Sequence, residues 1–195
     1  IDRLAHADAR DRLLDARALL ARPRPTSASV GLKSYFRAPM PRILFIASHR
    51  PGRAPGQRFR FEQYIPHLER NGFQCELSFM VSEKDDEVLY QKGHYLDKAR
   101  FIRRCHAKRM NDVSRMDDFD VILIFREALM TRAIRYEQAF RRSRAKLVFD
   151  FDDSIWLPNV SEANRRWKWV KDPGKTEKLI GLSDTVAVDI RPEPE

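Results

Sequence analysis

The run RILFIASHRPGRAPGQRFRFEQYIPHLERNGFQCELSF, residues 42–79, decides the fold of this chain. RILFIA (42–47) is a short apolar stretch ended by polar loop residues, the pattern of a strand covered on both faces. A loop with Pro51, Gly52, Pro55 and Gly56 follows, and QRFRFEQYIPHLERNG then reads as a helix closed by Asn71-Gly72, a left-handed C-cap. Pro66 lies inside that helix and is expected to kink it, because its ring conflicts with the carbonyl of Glu62. FQCELSF (73–79) alternates as a second strand. Strand, helix and strand in succession call for a parallel pair joined by a right-handed crossover.

The pattern repeats downstream. Residues 95–116 read as a long basic helix, DVILIF (120–125) as a third strand, 131–143 as a helix and KLVFDF (146–151) as a fourth strand. Asp172-Pro173 reads as the N-cap and first residue of a helix running to Leu182, before a fifth strand, DTVAV (184–188). The expected class is α/β: a three-layer Rossmann-like parallel sheet with helices on both faces. This domain is expected over 40–190, with 191–195 as a tail. Residues 1–39 differ in texture, rich in Arg, Ala, Leu and Asp, with Leu4, Leu13, Leu14 and Leu19 near helical spacing. They read as a helical or disordered N-terminal extension, upstream or non-native sequence, with Met40 as the natural start.

The chain has 195 residues with 43% apolar content, which suits one core and is too little for two full α/β domains. Its formal net charge of +9 favours phosphate-bearing partners without choosing among a nucleotide, a nucleic acid and an anionic membrane. Cys75 and Cys105 have no CxxC spacing and belong to no metal-ligand cluster, so a reducing, cytoplasmic setting is expected. The longest apolar runs, such as VILIF at 121–125, are far too short to span a bilayer. On the long helix, Lys98, Arg100, Arg103, Arg104, Lys108 and Arg109 are assigned to one side, and Ala99, Ile102, His106, Met110 and Val113 to the inner one. That pattern suits a solvated face or peripheral contact with an anionic membrane.

Ligands of parallel sheets bind at the carboxyl ends of the strands. Three stretches fall there. In SHRPGRAPGQRFRFEQY (48–64), a strand, a Gly-bearing loop and a helix start offer free N–H groups beside Arg50, Arg53, Arg58 and Arg60, although the spacing is neither a Walker loop nor GxGxxG. A flexible basic loop explains the same residues. In FREA (125–128), Arg126 and Glu127 form an ion pair at a corner or face the same cleft. In LVFDFDDSIWLPN (147–159), Asp150, Asp152 and Asp153 close a buried strand and must be paired, neutralised or used. The DxD admits an aspartyl phosphatase, with Asp150 as nucleophile and Asp152 as acid/base, or a carboxylate pair holding a divalent ion. Too little chain follows for the rest of a phosphatase site. A structural corner, with one Asp capping a turn and another paired to an Arg, stays open.

Taken together, PGQRFRFEQYIPHLERNGF, SEKDDEVLYQKGHYLDKA, FREALM, LVFDFDDSIWLPNVSEANR and WVKDPGKTEKLIGLSDTVAV resemble the amino-terminal half of bacterial glycosyltransferases of the family 4-like, GT-B type, over about residues 41–188. The resemblance implies an acceptor-side Rossmann-like domain facing a second, donor-binding domain, and sugar transfer with retention from a nucleotide-diphosphate sugar. No metal and no resident cofactor are expected. It implies that Gly52, Gly56, Gln57 and Arg58 approach the donor diphosphate, with Arg126, Glu127 and Asp153 as further substrate contacts. Where many relatives carry a His at the end of the fourth strand, this chain has DFDD, so Asp152 is the first choice for an acceptor-contacting or acid/base residue and Asp150 the second. The glutamates that hold the donor in such enzymes do not follow Val188, so little or no turnover is expected of this polypeptide alone. The expected acceptor is a glycan or lipid-linked cell-envelope or polysaccharide precursor at the inner face of the membrane, and no nucleic acid is expected. The competing classes are a metal-dependent phosphatase or phosphotransferase and a non-catalytic basic module for membrane or nucleic acid.

Overall fold

A computed structural model describes residues 40–89, 93–151 and 174–188. The Asp172-Pro173 cap and the extension before Met40 lie outside them. Five parallel strands, β1 (Arg42–His49), β2 (Gln74–Val81), β3 (Val121–Phe125), β4 (Lys146–Phe151) and β5 (Thr185–Val188), form one sheet in the order β2-β1-β3-β4-β5. The described helices are α1 (Pro55–Arg60), α2 (Ile65–Arg70), α3 (Glu83–Leu89), α4 (Tyr95–Ser114), α5 (Arg135–Arg141) and α6 (Lys175–Leu182). This is the expected Rossmann-like α/β arrangement.

Strand alternation sends side chains to opposite faces and so builds two cores. On one face Leu44, Ile46, Met80, Ile122, Ile124, Leu147 and Phe149 pack with Phe101 and Cys105 of α4, Phe140 of α5 and Leu179 of α6. On the other, Phe45 stacks on Phe61 at 5.0 Å between ring centroids, and Phe61 meets Phe125 edge-on at 5.8 Å. A buried side chain of this size contributes about 1.5–3 kcal/mol, so the two faces together hold the sheet.

The helix expected across 57–70 is broken, and not at Pro66. α1 ends at Phe61 (φ −145°), a 3-10 turn spans Glu62–Tyr64, and Pro66 sits in the first turn of α2. In the first turn a proline's missing N–H has no intrahelical acceptor to leave empty, so Pro66 starts a helix instead of bending one. The far end is as expected. Gly72 has φ +86°, its N–H donates to Glu69 O (3.0 Å), and Phe73 N–H donates to Leu68 O (3.1 Å), a Schellman cap.

α3 was not foreseen, although Ser82-x-x-Asp85 announces it. Asp85 Oδ2 accepts from the N–H and the hydroxyl of Ser82 at 3.0 and 2.5 Å. The helix expected over 131–143 is shortened to Arg135–Arg141, because Lys175 Nζ donates to the carbonyls of Leu129 and Thr131 (both 2.8 Å) and holds that stretch as a turn.

The inner face of α4 differs from the assignment made above. Phe101, Cys105, Arg109 and Asp112 are buried, whereas Ile102 and Met110 are exposed. The helix is turned by about one residue, roughly 100°. Arg109 is the reason. Its Nε donates to Ala128 O (2.5 Å), Nη1 to Ser78 Oγ (2.9 Å) and Asp112 Oδ2 (2.8 Å), and Nη2 to Ala47 O (2.8 Å). With its donors used in this way, a guanidinium can replace an apolar residue in the core. His106 is half-buried, with Nδ1 2.7 Å from the Tyr136 hydroxyl.

Candidate functional site

The strand order reverses between β1 and β3, and the carboxyl ends of these two strands bound the crevice where open parallel sheets bind ligands. At the β1 end, the fully buried Gln57 side chain takes the place of a neighbouring strand. Its Oε1 accepts from His49 N–H (3.2 Å), and its Nε2 donates to His49 O (2.7 Å) and to Glu62. Glu62 Oε2 also accepts from Gly52 N–H (2.8 Å), and Gly52 has φ +75°, a conformation that favours glycine.

Arg50 and Arg53 both reach Asp86 Oδ2 on α3, Arg53 Nε at 2.8 Å, and Arg50 lies 3.8 Å from Glu83. The loop expected to offer free N–H groups and bare cations is therefore ligated by its own acids at Gly52, Arg50 and Arg53. The hydrogen bond from Arg50 is the main cause that holds the Asp86 carboxyl below the usual carboxylate range. Gly56 is half-buried, and Arg58 is exposed, its guanidinium 5.2 Å from the Phe59 ring centre.

Arg60 turns inward from α1 and donates to Asp150 Oδ1 through Nε (2.9 Å) and Nη2. Asp150 is 3% exposed, on the sheet face that α1 covers, so the first aspartate of DFDD holds a buried guanidinium. Asp152 and Asp153 lie outside the described residues. Arg126 N–H donates to Asp150 O (2.8 Å), and Arg126 has φ +65°, a left-handed conformation unusual for a residue with a side chain. Glu127 accepts from Lys175 Nζ (2.9 Å), which also lies 3.4 Å from the fully buried Glu137. The β1 loop, the β3 corner and the end of β4 thus meet on one rim, joined by Arg60–Asp150 and Arg126–Asp150.

His49 was not singled out from the sequence. Its position at the carboxyl end of β1, two residues after the apolar run, is the available signal. Its Nδ1 is buried with no hydrogen-bond partner. Burial lowers its pKa from the ordinary 6.5; Asp86 opposes this, while Arg53, Arg126 and Arg50 add to it. A neutral imidazole can accept a proton and return it; of the three guanidiniums around it, Arg50 and Arg53 are already held by Asp86. Among the described residues, no group of three or more His, Cys, Asp or Glu has the geometry to hold a metal ion, and no helix is long and apolar enough to cross a membrane. Comparisons with protein families, curated proteins and solved structures give no match to this chain.

Proposed function

We propose that residues 40–188 form the acceptor-side half of a GT-B type glycosyltransferase, acting with a donor-binding domain to move a sugar from a nucleotide-diphosphate sugar to a glycan or lipid-linked acceptor. The observation that carries this reading is the meeting at the β1/β3 switch point of His49 at the end of β1, Arg50 just after it, Arg126 just after β3 and the Arg60–Asp150 pair. Transfer requires alignment of two substrates and stabilisation of a departing diphosphate, and cations on the rim supply the second. In this reading Arg126 and Arg58 face the diphosphate, Gln57, Gly52 and Gly56 shape the loop, Asp152 contacts the acceptor or moves its proton, and Asp153 and Glu127 support the corner. No metal or resident cofactor takes part.

Asp150 favours this reading over the phosphatase one, because a nucleophilic carboxylate must reach phosphorus and Asp150 is buried against Arg60. Peripheral contact at the inner face of the cytoplasmic membrane is supported by Leu96, Ile102 and Met110, exposed on α4 together with Arg100, Arg103 and Lys108.

The test is an assay of labelled sugar transfer, with this chain supplied alone and with a separately produced donor domain. Transfer that needs both chains and falls about 100-fold or more in Arg126→Ala is the expected outcome. Magnesium-dependent phosphate release by this chain alone, abolished in Asp150→Asn, would replace the proposal with the phosphatase reading.

A further inference from the structure

Beside the outer edge of β2, between α3 and α4, lies a cavity of about 350 Å³ lined by Phe79, Met80 and Cys105 with Lys84, Asp85, Arg104 and Lys108 around them. Its size falls in the range of small-molecule sites, about 300–1,000 Å³. Apolar groups form much of the lining. Met80 and Cys105 are buried core residues, and Lys108 Nζ stands 4.8 Å above the Phe79 ring.

The charges around this lining do not balance. Among the described residues, Asp85 is the one carboxylate in it, and both of its oxygens are engaged, Oδ1 by Arg104 and Oδ2 by Ser82. Arg104 and Asp85 offset each other, which leaves Lys84 and Lys108 as exposed ammonium groups beside an apolar pocket. A small neutral apolar ligand would use only the pocket, and an inorganic anion only the lysines. A ligand that satisfies both carries a chain and an anionic head.

We propose that this cavity is a binding site for a monomeric amphipathic anion, an alkyl or acyl chain bearing a phosphate or carboxylate, with the chain against Phe79, Met80 and Cys105 and the head at Lys84 and Lys108. The site is separate from the switch-point rim, and the proposal does not rest on the transferase reading. The two sites share α3 as a wall: Asp86 faces the rim loop and Asp85 the cavity.

Calorimetric titration of the full chain with decyl phosphate below its micelle concentration tests the proposal, with decanol, inorganic phosphate and phosphatidylglycerol vesicles as comparisons. Saturable one-to-one binding of decyl phosphate is expected, at least about tenfold tighter than decanol or inorganic phosphate, with amide shifts at Phe79, Met80 and Cys105. Lys84→Glu combined with Lys108→Glu changes only exposed residues and is expected to weaken binding by at least about tenfold without moving the denaturation midpoint. Cys105→Leu, which fills the pocket, is expected to weaken the chain-bearing ligand as well. Should that variant fail to fold, the lysine pair and the decanol comparison decide. Binding indifferent to the lysines, equal binding of decanol, or association with vesicles and not with the monomer overturns the proposal.

Discussion

Arg109 and Arg50 are both arginines held by an aspartate, and they do opposite things. Arg109 and Asp112 have side chains 0% and 1% exposed, and the guanidinium ties the ends of β1 and β2 and the corner after β3 into one buried knot. Arg50 and Asp86 have side chains 27% and 14% exposed and clasp a loop to α3 at the rim. Breaking a buried pair leaves an uncompensated charge in a poor dielectric, whereas breaking a rim pair exchanges it for water. The knot sets where the strand ends sit, and the clasp sets how readily the loop beside them moves.

The comparison breaks first at the knot. Arg109→Met is expected to destabilise the fold by about 3–5 kcal/mol in chemical denaturation, because Asp112 loses its buried counter-charge, keeping only Ser78 and Arg115 as donors, and the carbonyls of Ala47 and Ala128 lose theirs. Arg109→Met with Asp112→Leu should recover a large part of that loss. If the single change costs less than about 1 kcal/mol, the knot has no structural weight.

Asp150→Asn comes next, at about 1–3 kcal/mol, since an amide oxygen still accepts from Arg60 but the charge is gone. Full stability of that variant would remove the structural account of Asp150. The His49 effect is smaller and depends on pH. A histidine whose folded pKa is lowered favours the folded state while neutral, so its contribution is complete above the unfolded value and declines as pH falls below about 6.5. His49→Gln should flatten that part of the stability profile. An unchanged slope between pH 7 and 5 would show that His49 is not held neutral by the fold.

At the rim, Asp86→Asn should alter global stability by less than about 1 kcal/mol while Gly52 and Arg53 amides exchange faster. The folded pKa of Asp86 is depressed, so acid should open the same clasp only as pH falls below the ordinary carboxylate value. The smallest effect is expected at Met110→Ser on the outer side of α4, under about 0.5 kcal/mol. A larger loss there would mean that the exposed side of α4 is covered.

Much of the fold was legible because its signals are local. Four of the strands announce themselves through short apolar runs and β2 through alternation, and Asn71-Gly72 stops a helix through the backbone freedom of one glycine. Ser82-x-x-Asp85 is an equally local signal, and it marks the start of α3. The site was legible only as a zone. Strand ends could be located, but whether an arginine there meets a ligand or an acid depends on partners far along the chain. Arg60 finds Asp150 90 residues away, and Arg50 finds Asp86 36 residues away.

The amino-acid sequence by itself determined the order of strands and helices and the parallel class of the sheet, since hydrophobic period and turn chemistry act over a few neighbouring residues. Only the tertiary structure decided which face of α4 is buried, that the break falls at Phe61 and that Asp150 is half of a buried pair. Those outcomes turn on whether a polar group finds partners once water is excluded, and the partners come from distant segments that meet only in the fold.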